Sequence, residues 1–225
     1  MTDEPKRERF VERYLDPASR LGEVLFGLIM VLGATLTAGL SVAEGRAGVR
    51  QLLQAALGCN IAWGIIDAIM YVMSCMTARA EKAHFIAAIQ HAPNEHAALA
   101  IVRDEIEPRF ETLTGPQHRE VLCQSILEYL AQSEAPRTRV TKDDLYGAVA
   151  CFWLVFLSCL PVAVPFLVLS DPTKALRVSN ALLIVMLFVV GHMWARYAHI
   201  NRLVAGLVMV AIGLALVGVA ILLGG

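Results

Sequence analysis

Asp67 is the residue this chain accommodates least easily. It stands in the run Ile65-Ile66-Asp67-Ala68-Ile69-Met70, with no further charge until Arg79. A carboxylate at the depth of a bilayer costs about 2.5–3.5 kcal/mol on insertion scales, so its presence there needs a reason. Two reasons compete: a role in moving an ion, or a structural hydrogen bond to a neighbouring helix. Asn60 lies seven residues earlier, two helical turns away and on the same face. Met70 and Met73 continue part of that face, and Met76 follows further on. A track of amide, carboxylate and thioether suits a borderline-soft divalent cation such as Fe(II) or Mn(II). Methionine is also an ordinary packing residue between helices, which is the bland reading of Met70 and Met73.

Glu23 is a second carboxylate, just inside the start of another apolar stretch. It reads either as an interfacial group reaching water or as a functional carboxylate at membrane depth. Thr35, Thr37 and Ser41 belong to the same stretch, where hydroxyls usually bond their own helix backbone. Pro161 and Pro165 fall inside a third stretch and release backbone carbonyls there, the signature of a kink. His192, Arg196 and His199 form one stripe whose better reading is anchoring at the headgroups.

A polar segment in the middle of the chain holds a different set of groups. Asp104, Glu107 and Glu111 are spaced to share one helix face, Glu81 and His84 share another, and Glu120 follows on the next helix. Oxygen and imidazole ligands on adjacent helices are the ingredients of a divalent-metal site in a helical bundle. Arg103, Arg109 and Arg119 are interspersed among them, so a charge-laced solvated surface fits the same pattern.

The elements that must position these groups follow from composition. Of 225 residues, 57 % are hydrophobic and 17 % charged, and the mean hydropathy is +0.59. A water-soluble domain of this length does not need that much apolar surface, so lipid is part of its solvent. A spanning helix takes roughly 20 apolar residues. Residues 21–43, 52–76, 145–169, 175–198 and 203–223 satisfy that length. The expected architecture is an all-α integral membrane protein with five transmembrane helices and a three-helix cytoplasmic insert between the second and third.

Residues 1–20 form an amphipathic N-terminal segment, with Phe10, Val11, Tyr14 and Leu15 on one face and basic residues on the other. Such a helix lies on the inner leaflet, or is a solvated tail. Residues 21–76 make the first two spans, 77–140 the insert and 141–225 the last three spans. Nothing breaks the second helix until Pro93-Asn94, so it extends well past the membrane. Asn94 caps the next helix, and Thr114-Gly115-Pro116 separates it from the third. Of the 19 Lys and Arg residues, only Arg46, Arg50, Lys174 and Arg177 fall on the side opposite the N-terminus. That bias orients the chain N-in and C-out.

Several functions are disfavoured. A net charge of −1 and a pI near 6.6 provide no attraction for nucleic acid. The five cysteines show no CxxC pair, which speaks against a disulfide framework or a zinc knuckle. No HExxH and no phosphate-binding glycine loop occurs, so the chain does not read as an enzyme, and no permanently bound cofactor is expected. The first apolar stretch is longer than a signal-peptide core, and no cleavage is expected. The lack of a targeting peptide and the short loops point to a bacterial inner membrane.

Leu160-Pro161 with Pro165-Phe166, Leu187 to Gly191 followed by Ala195-Arg196, and Gly206 to Met209 with Ile212-Gly213 resemble the last three spans of the vacuolar iron transporter family. The layout of five spans, an inner N-terminus and a helical insert after an extended second span is similar as well. The resemblance implies a homodimer that exports Fe(II) or Mn(II) from the cytoplasm in exchange for protons. It implies a path along the dimer interface formed by the first two spans, with Glu23 near the position of the family's Asn-Asp-Gly carboxylate. Asp67, Met70 and Tyr71 fall near its methionine and Gly-Glu-Tyr elements. Asn-Asp-Gly itself is absent, and the repeated Glu-x-x-Glu pairs of the family's cytoplasmic domain are replaced by Glu81-x-x-His84 and Asp104-x-x-Glu107.

The reading that follows is a proton-exchanging divalent-metal transporter whose path includes Glu23, Asn60, Asp67, Met70 and Met73. Its insert would hold metal through Glu81, His84, Asp104, Glu107, Glu111 and Glu120. The alternative is a membrane scaffold or metal sensor that works through the insert without transport.

Overall fold

The computed structural model describes residues 15–37, 46–110 and 115–222. Seven helices make up these residues: α1 (Pro17–Thr37), α2 (Arg46–Gln90), α3 (Glu95–Phe110), α4 (Pro116–Ala131), α5 (Lys142–Val168), α6 (Pro172–Ala198) and α7 (Arg202–Leu222). No strand occurs among the described residues. Among the described residues four helices are long and apolar enough to cross a bilayer: α1, α2, α5 and α6. Their faces carry the residues that lipid would meet, since Trp153, Leu157, Val164, Val185 and Val189 are all exposed. A protein dissolved in water rarely leaves so much large apolar surface uncovered.

Two compact units divide the chain, Met1–Val72 together with Lys142–Gly225, and Met73–Thr141. In the first, α1 packs on α5, α6 and α7, α5 packs on α6, and α6 on α7. Leu28, Val31 and Leu32 of α1 meet Cys159 and Val162 of α5 and Leu183, Leu187 and Val190 of α6 in a closed core. The spacing 183, 187, 190 keeps one face of α6 turned inward over two turns. The α6–α7 crossing depends on small residues. A Cβ on Gly191 would come within 2.7 Å of the Ala205 carbonyl oxygen, and one on Gly206 within 2.6 Å of the Phe188 ring. Lipid is as apolar as leucine, so helices in a bilayer associate through such close packing.

Polar caps set the helix ends. Asp16 accepts from the Ala18 and Ser19 amides at 2.9 and 3.0 Å and from the Ser19 hydroxyl. The Ser19 hydroxyl and the amides hold the Asp16 carboxyl below its ordinary range. Asp171 does the same for α6, accepting from the Thr173 and Lys174 amides at 2.9 and 3.2 Å, and those bonds lower its carboxyl too. Pro161 and Pro165, read from sequence as a kink, lie within the continuous helix α5. Beside them the Ser179 hydroxyl of α6 donates to the Val162 carbonyl at 2.7 Å, a bond between helices. Residues 1–14 of the amphipathic N-terminal segment lie outside the described residues. Leu15, at the end of that segment, is buried against Ala150 and Cys151 of α5.

The second unit takes the end of α2 from Met73, together with α3 and α4. Ile89, Ala98, Val102, Cys123 and Leu127 form its core. Asn94 caps α3 as the sequence suggests, its side-chain oxygen accepting from the Ala97 amide at 2.8 Å. The Gln90 amide closes the far end of α4 by donating to the Leu130 and Ser133 carbonyls at 3.3 and 2.8 Å. Burial is the main cause that pushes the Cys123 thiol up.

Candidate functional site

Three helices of the first unit bring polar side chains to one junction. α1 supplies Glu23 and, a turn later, Gly27; α2 supplies Asn60 and Asp67; α5 supplies Cys151 and Ser158. The arrangement is periodic. Asn60 and Asp67 are seven residues apart, as are Cys151 and Ser158, so each helix turns both of its groups to the same side.

At one level of the junction the Glu23 and Asp67 carboxyls lie close enough for each to act on the other electrostatically. The Cys151 thiol donates to Oε1 of Glu23 at 3.6 Å. Oδ2 of Asp67 is shielded from solvent and has no hydrogen-bond partner. Two carboxyl groups bond to each other only while they hold a proton between them. When that proton leaves, two negative charges face one another and a cation becomes the natural occupant.

The second level is tighter. Asn60 is 0 % exposed, and its amide nitrogen donates to the Ala56 carbonyl at 3.1 Å. Its Oδ1 is buried without a partner. Gly27 faces it: a Cβ there would stand 2.1 Å from the Ser158 hydroxyl oxygen, 2.9 Å from the Val155 carbonyl oxygen and 3.4 Å from Oδ1 of Asn60. Ser158 donates to the Val155 carbonyl at 2.7 Å. Glycine at position 27 therefore lets α1, α2 and α5 meet around a cluster of oxygens. An orphaned acceptor in such a place costs free energy, about 1–3 kcal/mol, and is rare in a finished core.

Met70 and Met73 do not line this junction. They are 57 % and 61 % exposed and share their surroundings with Ile65, Ile66 and Ile69, which are also exposed. Helix geometry explains the divergence. At about 100° per residue, steps of three and six residues from Asp67 carry them roughly 60° and 120° off its face.

In the second unit the acidic groups have other surroundings. Glu120 pairs with Arg103 at 2.6 Å, Glu81, His84 and Asp104 are exposed, and Glu107 is half-buried. Glu111 lies outside the described residues. Among the described residues no group of three or more His, Cys, Asp and Glu side chains is arranged to hold a metal, in the insert or at the membrane junction. The junction is a carboxyl pair with polar neighbours.

Sequence reasoning singled out Glu23, Asn60 and Asp67, and these are the residues that α1 and α2 bring together with α5. It assigned nothing to Cys151, Ser158 or Gly27. The seven-residue interval between Cys151 and Ser158 was the available signal. No protein-family model matches the chain, and no curated protein sequence matches it.

Proposed function

We propose that this protein is a transporter that moves a divalent metal cation across a membrane in exchange for protons. The observation that carries the reading is the meeting of Glu23 and Asp67 from separate helices, at a junction where Oδ2 of Asp67 and Oδ1 of Asn60 lack partners. Metal ligation requires deprotonated carboxylates, so an incoming cation and the shared proton compete for the same oxygens. Binding a divalent ion releases the proton, and reprotonation releases the ion. Two carboxylates with an amide two turns away hold a cation weakly enough to let it leave, as conduction demands. Water supplies the remaining ligands of Fe(II) or Mn(II), the cargo that carboxylate and amide oxygens suit.

In the full reading the chain has five spans, α7 being the fifth, with the N-terminus in the cytoplasm of a bacterial cell and export as the direction. It works as a homodimer, as the resemblance to vacuolar iron transporters implies. The test is flux into proteoliposomes loaded with a metal-sensitive dye, comparing Fe(II), Mn(II), Co(II) and Zn(II) with and without a pH gradient. Saturable, gradient-dependent entry of Fe(II) or Mn(II) is expected, and Asp67→Asn reduces it at least a hundredfold while the protein remains folded. Full flux in Asp67→Asn removes the carboxyl pair from the mechanism.

One observation favours a second reading, a scaffold or sensor acting through the insert. A cavity of about 660 Å³ opens between the end of α2, α3 and α4, with Glu95 and Glu128 at its rim and Leu127 in its floor. A scaffold of this kind shows no metal flux and is indifferent to Asp67→Asn.

A further inference from the structure

Three features of the first unit lie in sequence along α2, all on the Arg50 side of Asn60. One turn from Asn60 is Ala56, which lines a void of about 10 Å³ together with Thr35 of α1 and Cys159 of α5. A void that size holds a single water molecule at most. Thr35 is buried there, and its hydroxyl donates to the Leu32 carbonyl at 3.2 Å. Beyond it opens a much larger cavity of about 580 Å³, between the first turns of α2, the last turn of α5 and the start of α6. Arg50 and Gln54 line it, Arg50 being the one charged side chain among the described residues of its wall.

The void and the cavity share two lining residues, Leu53 and Leu57. These two side chains therefore stand between the large cavity and the small void beside Thr35 and Ala56. Apolar side chains such as these, one turn apart on one face of α2, exclude water and with it any hydrated ion, and a shift of either removes that exclusion.

We propose that the cavity at the Arg50 end is the water-filled vestibule of the Glu23–Asp67 site, and that Leu53 and Leu57 are the barrier between them. The proposal rests on the transport reading and assigns it an access route within one chain: Arg50 and Gln54 at the mouth, the leucine pair, Thr35, Asn60 with Ser158, then the carboxyls. The vestibule takes water and a hydrated divalent cation. The positive charge of Arg50 lowers the local cation concentration at the mouth, which favours release over re-entry from that side.

Two arms test it in proteoliposomes. In the first, Thr35→Cys is exposed to a small, membrane-impermeant methanethiosulfonate added on the Arg50 side, and modification of residue 35 is followed by mass spectrometry. Leu53→Ala with Leu57→Ala is expected to speed that modification at least tenfold; an unchanged rate overturns the barrier. In the second, Gln54→Cys at the exposed rim is modified with a bulky maleimide, with Val185→Cys on the exposed face of α6 as control. Mn(II) flux is expected to fall at least tenfold on modifying residue 54 and to stay unchanged on modifying residue 185. Unchanged flux after complete modification of residue 54 overturns the vestibule even if the leucine variants fail to fold. Faster labelling of residue 35 in a protein that moves no metal leaves the access route standing and removes the transport reading instead.

Discussion

Glu120 and Asp67 are both carboxylates carried by helices, and the chain treats them differently. Glu120 meets the Arg103 guanidinium at 2.6 Å, each side chain being more than a third exposed. Asp67 has one oxygen shut away from solvent with no partner, and its neighbour is another acid. Water around Glu120 would stabilise it whether or not Arg103 were present. Nothing of that kind compensates Asp67 or the Asn60 oxygen two turns away. Buried polar groups without a protein partner are uncommon, and they set the junction apart from the solvated, ion-paired acids of the insert.

The largest expected effect separates the two carboxylates directly. Asp67→Asn is expected to reduce metal flux at least a hundredfold, whereas Glu120→Gln leaves it within twofold. Equal losses in the two variants would erase the contrast. A stability cycle on Arg103 and Glu120 is expected to give a coupling of no more than about 1 kcal/mol, the range of exposed pairs.

Gly27→Val comes next. The added carbons collide with the Val155 carbonyl of α5, which is backbone and cannot step aside, so melting in detergent should show a loss of about 1–3 kcal/mol. Flux should fall with it. An unchanged melting point would mean that α1 and α5 are further apart than the Ser158 contact requires.

Asn60→Leu sharpens the comparison from the other side. Removing a buried acceptor that has no partner should leave stability unchanged or raise it by about 1 kcal/mol, while flux falls at least tenfold. Joint loss of stability and flux would make Asn60 a structural hydrogen-bonding residue.

Asp16→Ala is the smallest. It removes the cap of α1 and should lower stability by about 1 kcal/mol at neutral pH. The native carboxyl is held below its ordinary value of 3.8, so its contribution is fully present above that value and is lost as pH falls below it. Thermal melts of wild type and variant should therefore converge under acid conditions. A difference that persists there would mean the cap acts without its charge.

Much of the architecture was legible because it depends on local or one-dimensional properties. Apolar length marked α1, α2, α5 and α6, the Asn94 cap and the Gly115-Pro116 break delimited the insert helices, and two-turn spacing put Asn60 and Asp67 on one face. Met70 and Met73 stand off the Asn60–Asp67 face because three-residue steps drift around a helix, and a continuing pattern of suitable ligands hides that drift. Cys151, Ser158 and Gly27 were silent because a cysteine, a serine and a glycine in an apolar helix are ordinary residues until another helix is laid against them.

The amino-acid sequence by itself determined that the described chain is helical, that several of its helices suit a bilayer, and that a polar helical segment interrupts them. Hydropathy, capping and breaker residues act over a few turns, and no knowledge of neighbours is needed to read them. Tertiary structure alone decided that Glu23 faces Asp67, that Gly27 opens a notch onto Ser158 and Asn60, and that Leu53 and Leu57 stand between two cavities. Each of those facts concerns atoms from helices far apart in the chain, and their distances depend on how whole helices cross.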